Sequence, residues 1–210
     1  MSDLFFNAKG FDQPIGSWDT STVTNMGAMF ASAETFNQPL NSWDVSNVVL
    51  MGTNNKYPTL SGMFNTAKAF NHPVGDWDTN KVTAMAGMFL RAERFNQPLM
   101  SWDCSRVTEM LTVLGNAAAF NNPLDSWDVS KVTTLGNYES ATKSAGALSH
   151  AALFNQPLAS WNVYRVTNMG ATFANAQAFD QPLNSWDVSS VANMGALFVS
   201  AKRFNHPLNL

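Results

Sequence analysis

The sequence predicts an α/β repeat solenoid of about eight stacked strand–turn–short-helix units. Each unit has 25 residues, and two carry nine-residue insertions. Three observations predict this. Tryptophans fall at Trp18, Trp43, Trp77, Trp102, Trp127, Trp161 and Trp186, at intervals of 25 or 34. The prolines of a recurring Phe-x-x-Pro, from Pro14 to Pro207, keep the same clock. Within each unit, apolar residues recur at helical spacing. A fixed period in this range marks stacked repeats rather than a closed domain, so residues 1–210 read as one continuous array.

The helix comes from Val23, Met26, Met29, Phe30 and Ala33, which recur three and four apart and predict an amphipathic turn or two over 25–33. Thr24 stands where an N-cap belongs, as do Thr83, Thr108, Thr133 and Thr167. The helix must end soon after Ala33, because Pro39 follows and the residue before a proline avoids the helical region.

The strand is expected over 40–45, where Leu40, Trp43 and Val45 follow Pro39 at the entrance. A unit this small cannot bury its own apolar face, so stacking has to do so. Stacking generates uniform columns. Phenylalanine recurs at Phe11, Phe36, Phe70, Phe95, Phe120, Phe154, Phe179 and Phe204, and each has alanine three residues before it, from Ala8 to Ala201. Valine follows each Trp by five residues, from Val23 to Val191. Alanine at every level implies close approach, where leucine would cost about 1–3 kcal/mol by overpacking. The aromatic columns read as core ladders, each ring burying about 150–250 Å².

The two insertions fall at about 49–63 and 134–147, three repeats apart, and give an 84-residue superperiod. Insertions in a repeat array map to loops on one face, often the binding face. At a strand spacing of about 4.8 Å the loops should lie roughly 14 Å apart. Lys56 and Tyr57 in the first, with Tyr138 and Lys143 in the second, are the candidate partner-binding residues. Met1 enters and Leu210 leaves at mid-repeat, without a polar capping unit, so the segment is expected to be an excerpt of a longer array. Further repeats or other chains would stack on its ends.

Composition limits the function classes. Charged residues are 13% and the net charge is −3, which leaves no footprint for nucleic acid. No run of 18 apolar residues predicts a membrane span. Cys104 is the one cysteine and sits in a Val/Thr column, where it reads as a small buried hydrophobe. His72 and His206 replace a recurrent glutamine and His150 ends the second insertion, so no triad or zinc spacing arises. No catalytic, cofactor-binding or metal residue is assigned.

The acidic column Asp19, Asp44, Asp78, Asp103, Asp128 and Asp187, interrupted by Asn162, has two readings. Calcium could sit between rungs on oxygen ligands. Alternatively each side chain accepts N–H bonds from the turn after it, a role Asn162 fills as well as Asp, and this reading is favoured. The column Asn37, Asn71, Asn96, Asn121, Asn155 and Asn205, with Asp12 and Asp180, is expected to satisfy backbone groups inside a turn.

The joined motif Phe-Asn-Gln-Pro-Leu-x-x-Trp-Asp-Val-Ser-x-Val-Thr-x-Met-x-x-Met-Phe-x-x-Ala resembles a surface-protein repeat of roughly 25 residues related to the BspA-type leucine-rich repeats. That repeat occurs in mycoplasma lipoproteins, other bacterial surface proteins and algal proteins. The likeness covers the chain outside its two insertions. Family members more often carry Asp where this chain has Pro39 and its equivalents. The resemblance implies a leucine-rich-repeat-like array at the cell surface or outside the cell, and no catalytic residues. The expected function is therefore a non-enzymatic structural or assembly segment of a surface filament. The alternative is an adhesion or recognition module that binds a protein or glycan through its ladder face or insertion loops. A third reading, an ice- or mineral-binding face, would need a flat Thr row that Thr20, Val45, Thr79, Cys104 and Val129 do not make.

Overall fold

Thr24 and its column set the register. In the computed structural model, which describes residues 1–52, 62–140 and 143–208, the backbone N–H at that position of each unit donates to the same position one unit earlier. Thr108 N donates to the Thr83 carbonyl at 3.0 Å, and Thr133 N to the Thr108 carbonyl at 3.2 Å. Just beyond it, a parallel ladder one residue wide runs Asn25, Leu50, Ala84, Glu109, Thr134, Asn168, Asn193. The units are thus stacked coils in parallel register. The hydroxyls of Thr83, Thr108, Thr133 and Thr167 add bonds of 3.3–3.4 Å to the preceding carbonyl, so these threonines tie rungs together and cap no helix.

The predicted α/β solenoid with short helices is not what forms. Among the described residues none is helical, and the three strands make one small sheet. The segment expected as helix over 25–33 is a chain of overlapping turns. The N–H groups of Met29, Ala31 and Ala33 close turns onto Met26, Ala28 and Phe30. Those of Phe30 and Ser32 donate outward to the Met63 and Asn65 carbonyls of the next coil, at 2.9 and 2.7 Å. Every second amide therefore leaves its own coil. Left-handed residues make this possible: Ala28 at φ 53° and Ser32 at φ 61°, repeated at Gly87 and Arg91, Thr112 and Asn116, Ala171 and Asn175, Ala196 and Ser200. A left-handed residue every four positions cannot continue an α-helix.

The predicted strand over 40–45 is also a turn. The Leu40 carbonyl accepts the Trp43 N–H at 3.1 Å, and the Val45 carbonyl accepts that of Val48 at 2.8 Å. The three strands are β1 (Thr134–Ser140), β2 (Lys143–Gly146) and β3 (Asn168–Met169). β1 pairs with β2 antiparallel and with β3 parallel, in the order β2-β1-β3. The second insertion is thus a hairpin that leaves the stack at Gly136 and returns at Gly146, residues that pair across β1 and β2. The first insertion lies mostly outside the described residues, so its distance from the second is not defined.

The core follows the columns. Phe36, Phe70, Phe95, Phe120, Phe154 and Phe179 are fully buried and stack at 5.9–6.1 Å between ring centroids. Trp77, Trp102, Trp127, Trp161 and Trp186 stack at 6.3–6.5 Å with planes within 6°. Spacing wider than a strand repeat with nearly parallel planes is offset stacking. Each indole N–H also reaches back to the preceding coil; Trp102 donates to the Val74 carbonyl at 2.9 Å and Trp127 to that of Leu99 at 3.0 Å. Ala33, Ala67, Ala92, Ala117, Ala151 and Ala176 have no exposed surface, in keeping with their column. Cys104 is fully buried, and burial pushes its thiol pKa far up, so it is an inert core residue.

Candidate functional site

Two polar columns run along the stack. In the first, the carboxylate oxygen of Asp19 accepts the Ser21 N–H at 3.0 Å, and Asp44, Asp78, Asp103, Asp128 and Asp187 accept the equivalent N–H at 2.8–3.2 Å. Asn162 does the same for Tyr164 at 3.2 Å. Each unit therefore makes the same Asx-turn, as the favoured reading of this column expects. The hydroxyl and then the N–H of Ser46 hold the Asp44 carboxyl below the usual carboxylate range, and the charge of Asp19 opposes them. Asp19, Asp103, Asp128 and Asp187 are lowered by the matching serine. Among the described residues no three His, Cys, Asp or Glu side chains gather as a metal cage.

A carboxylate held below its unfolded pKa favours the folded state above that value and loses the advantage as pH falls through it. The contribution of these five aspartates is fully present above the ordinary 3.8 and is lost progressively as pH falls from there through their lowered folded values. A triple Asp44→Asn, Asp103→Asn, Asp128→Asn variant keeps the turns, as Asn162 does. Thermal melts from about pH 7 to about pH 3 should show a shallower acid loss in the variant than in the parent. Equal slopes would show that these carboxyls do not carry it.

The second column is an amide ladder, but it joins coils rather than serving a turn. The side-chain oxygen of Asn37 accepts the Asn71 N–H at 2.9 Å, and the pattern repeats through Asn96, Asn121, Asn155, Asp180 and Asn205. The neighbouring glutamines reinforce it; Gln97 Nε2 donates to the Asn71 side-chain oxygen at 3.0 Å. His206, in the glutamine position, contacts the Asp180 carbonyl at 3.1 Å. On another edge Glu34 pairs with Lys9 at 3.2 Å and Lys68 at 2.7 Å, bridging three coils.

Of the four candidate partner-binding residues, the structure describes the side chain of Tyr138. Lys56 and Tyr57 lie outside the described residues. Lys143 opens β2, its backbone opposite Ser140. Tyr138 is half-buried and turned back onto the stack: a Cβ at Gly195 would stand 2.6 Å from its Cδ1, and the Asn193 amide donates to its carbonyl at 3.2 Å. Tyr138 thus ties the hairpin to the two following coils.

A third column escapes motif reading because it is the variable x between Ser and Val. Lys81, Arg106, Lys131 and Arg165 occupy it on four successive coils, all exposed, beside the aspartate column. Tyr164, 57% exposed, stands next to Arg165. Aligning the units column by column reveals them; the consensus hides them.

A model of the family described as "Mycoplasma protein of unknown function, DUF285" matches residues 1–56, 53–148 and 136–210. None of the curated proteins and none of the solved structures matches the chain. The strand and short helix per unit implied by the leucine-rich-repeat resemblance do not occur in the described residues.

Proposed function

We propose, for a chain that belongs to the DUF285 family along its whole length, a non-enzymatic structural or assembly role at the cell surface. One observation carries the reading: side chains with chemical potential are committed to holding coil to coil. The indole N–H groups from Trp43 to Trp186, the Asn and Gln amides of the ladder and the hydroxyls of Thr83, Thr108, Thr133 and Thr167 bond to the neighbouring coil. Such a stack transmits force along its axis through many equivalent bonds, which suits an extended scaffold. The test is labelling of intact cells that express the protein with a membrane-impermeant amine reagent. Exposed lysines such as Lys81 and Lys131 should be modified before lysis; modification only after lysis would refute the location.

A recognition role, binding a protein or glycan, is the second reading. The exposed ring of Tyr164 favours it, since it stands at a turn position outside the aromatic columns, whose rings between Phe30 and Phe179 are buried. No helix among the described residues is long and apolar enough to cross a membrane.

A further inference from the structure

On the three coils of Asp78, Asp103 and Asp128 the aspartate column and the cation column stand side by side and offset one another. Lys131 lies close enough to act on the charges of Asp103 and Asp128, Arg106 on that of Asp103, and Lys81 on that of Asp44. The unit of Trp161 breaks the balance. There the acidic position is the neutral Asn162, the turn serine is replaced by Tyr164, and the cation Arg165 remains. Asn162 still makes the turn bond to Tyr164 N at 3.2 Å, so the change of charge leaves the backbone of this turn in its usual form.

The register places Arg165 directly beyond Lys131. Thr167 N bonds to the Thr133 carbonyl at 2.9 Å, and the Trp127 and Trp161 rings stack at 6.5 Å. Three cations on successive coils, Arg106, Lys131 and Arg165, therefore lead to an exposed aromatic ring where no aspartate stands.

We propose that Tyr164 and Arg165, with Lys131 beside them, form a seat for an acidic polysaccharide bearing a carboxylate on each sugar ring. This deepens the recognition reading and does not depend on the scaffold reading. The Arg165 guanidinium offers a planar fork that matches a carboxylate, and the Tyr164 ring offers an apolar face to the sugar. Successive sugars would present successive carboxylates to Lys131 and Arg106, one per coil. Nucleic acid fits less well: a strand would stack successive bases on several exposed rings, and this row offers Tyr164 alone among the described residues.

The test is titration of the full chain with an oligogalacturonate, a neutral maltooligosaccharide and a single-stranded RNA oligomer, at low and physiological salt. Oligogalacturonate should bind, more weakly at higher salt. Asn162→Asp restores the column's usual acid, so the fold should persist while affinity falls about fivefold. Tyr164→Ala and Arg165→Ala should each weaken binding by a similar factor or more, whereas Lys202→Ala should not. Absence of oligogalacturonate binding, equal binding of the neutral sugar, tighter binding of RNA, or indifference to Asn162→Asp would each overturn the seat. Surface labelling is independent of all four outcomes, so failure here leaves the location reading standing.

Discussion

Gly136→Ala is expected to destabilise the protein by about 3 kcal/mol, near the upper end of overpacking costs. The reason is backbone, not side chain. A Cβ at Gly136 would be driven into the Gly170 carbonyl oxygen and would meet Thr172 Oγ1 at 3.0 Å. A rotamer change cannot relieve a collision with the main chain of the next coil. Gly170 is itself held there, because its N–H bonds to the Asn168 side chain at 3.1 Å. The hairpin and the coil beyond it would have to separate. At about 2–4 °C per kcal/mol for a chain of this size, the melting temperature should fall by roughly 6–12 °C. Gly10→Ala is the control, since nothing lies within 4 Å of a Cβ there. It should stay within about 0.5 kcal/mol of the parent. Equal effects at the two sites would mean that the coils are not in contact at Gly136.

Trp127→Ala should cost about 3–5 kcal/mol, and Trp127→Phe less. Trp127 is fully buried, stacks on Trp102 and Trp161, and donates its indole N–H to Leu99. Alanine removes both stacks and the bond; phenylalanine keeps one ring in the column but loses the donor, worth about 1 kcal/mol, and part of the buried ring volume. Trp18→Ala is the comparison. Trp18 begins its column and is 37% exposed, so its loss should cost about half as much or less. Chemical denaturation of the three variants measures the series. A cost at Trp18 matching that at Trp127 would contradict a ladder in which each ring depends on its neighbours.

The columns were legible in the sequence because identical residues at a fixed period have to meet their own kind when the units stack. That is why Phe95 could be placed on Phe120, and alanine at close approach, without coordinates. The Asx-turn was legible for a local reason: Asp44 and Asn162 share one oxygen acceptor two residues before the amide it serves. The helix misled. Turns closing every second residue bring Met26, Met29, Phe30 and Ala33 to one side, and an amphipathic helix does the same. The distinguishing feature is the left-handed pair, and in the first full unit those residues are Ala28 and Ser32, neither of which announces positive φ as glycine does. The strand over 40–45 failed because Leu40, Trp43 and Val45 are buried for stacking across coils, not for pairing along one.

The site was less legible than the fold. The sequence marks Tyr138 as part of an insertion, but does not show that it fills the space Gly170 and Gly195 leave beneath the hairpin. Tyr164 and Arg165 escape motif reading because one falls on a serine position and the other on a variable one. A repeat protein writes its structure in the consensus and its individuality in the departures from it.

Turns in place of helices are tested most directly by the backbone chemical shifts and amide NOEs of the isotopically labelled protein in solution. The structure predicts left-handed shifts at Ala28, Ser32, Arg91, Asn116, Ala171 and Asn175, with NOEs that connect the Phe30 amide to the coil of Met63. Continuous helical shifts over 25–33 and its equivalents, with sequential amide NOEs confined to each unit, would contradict it.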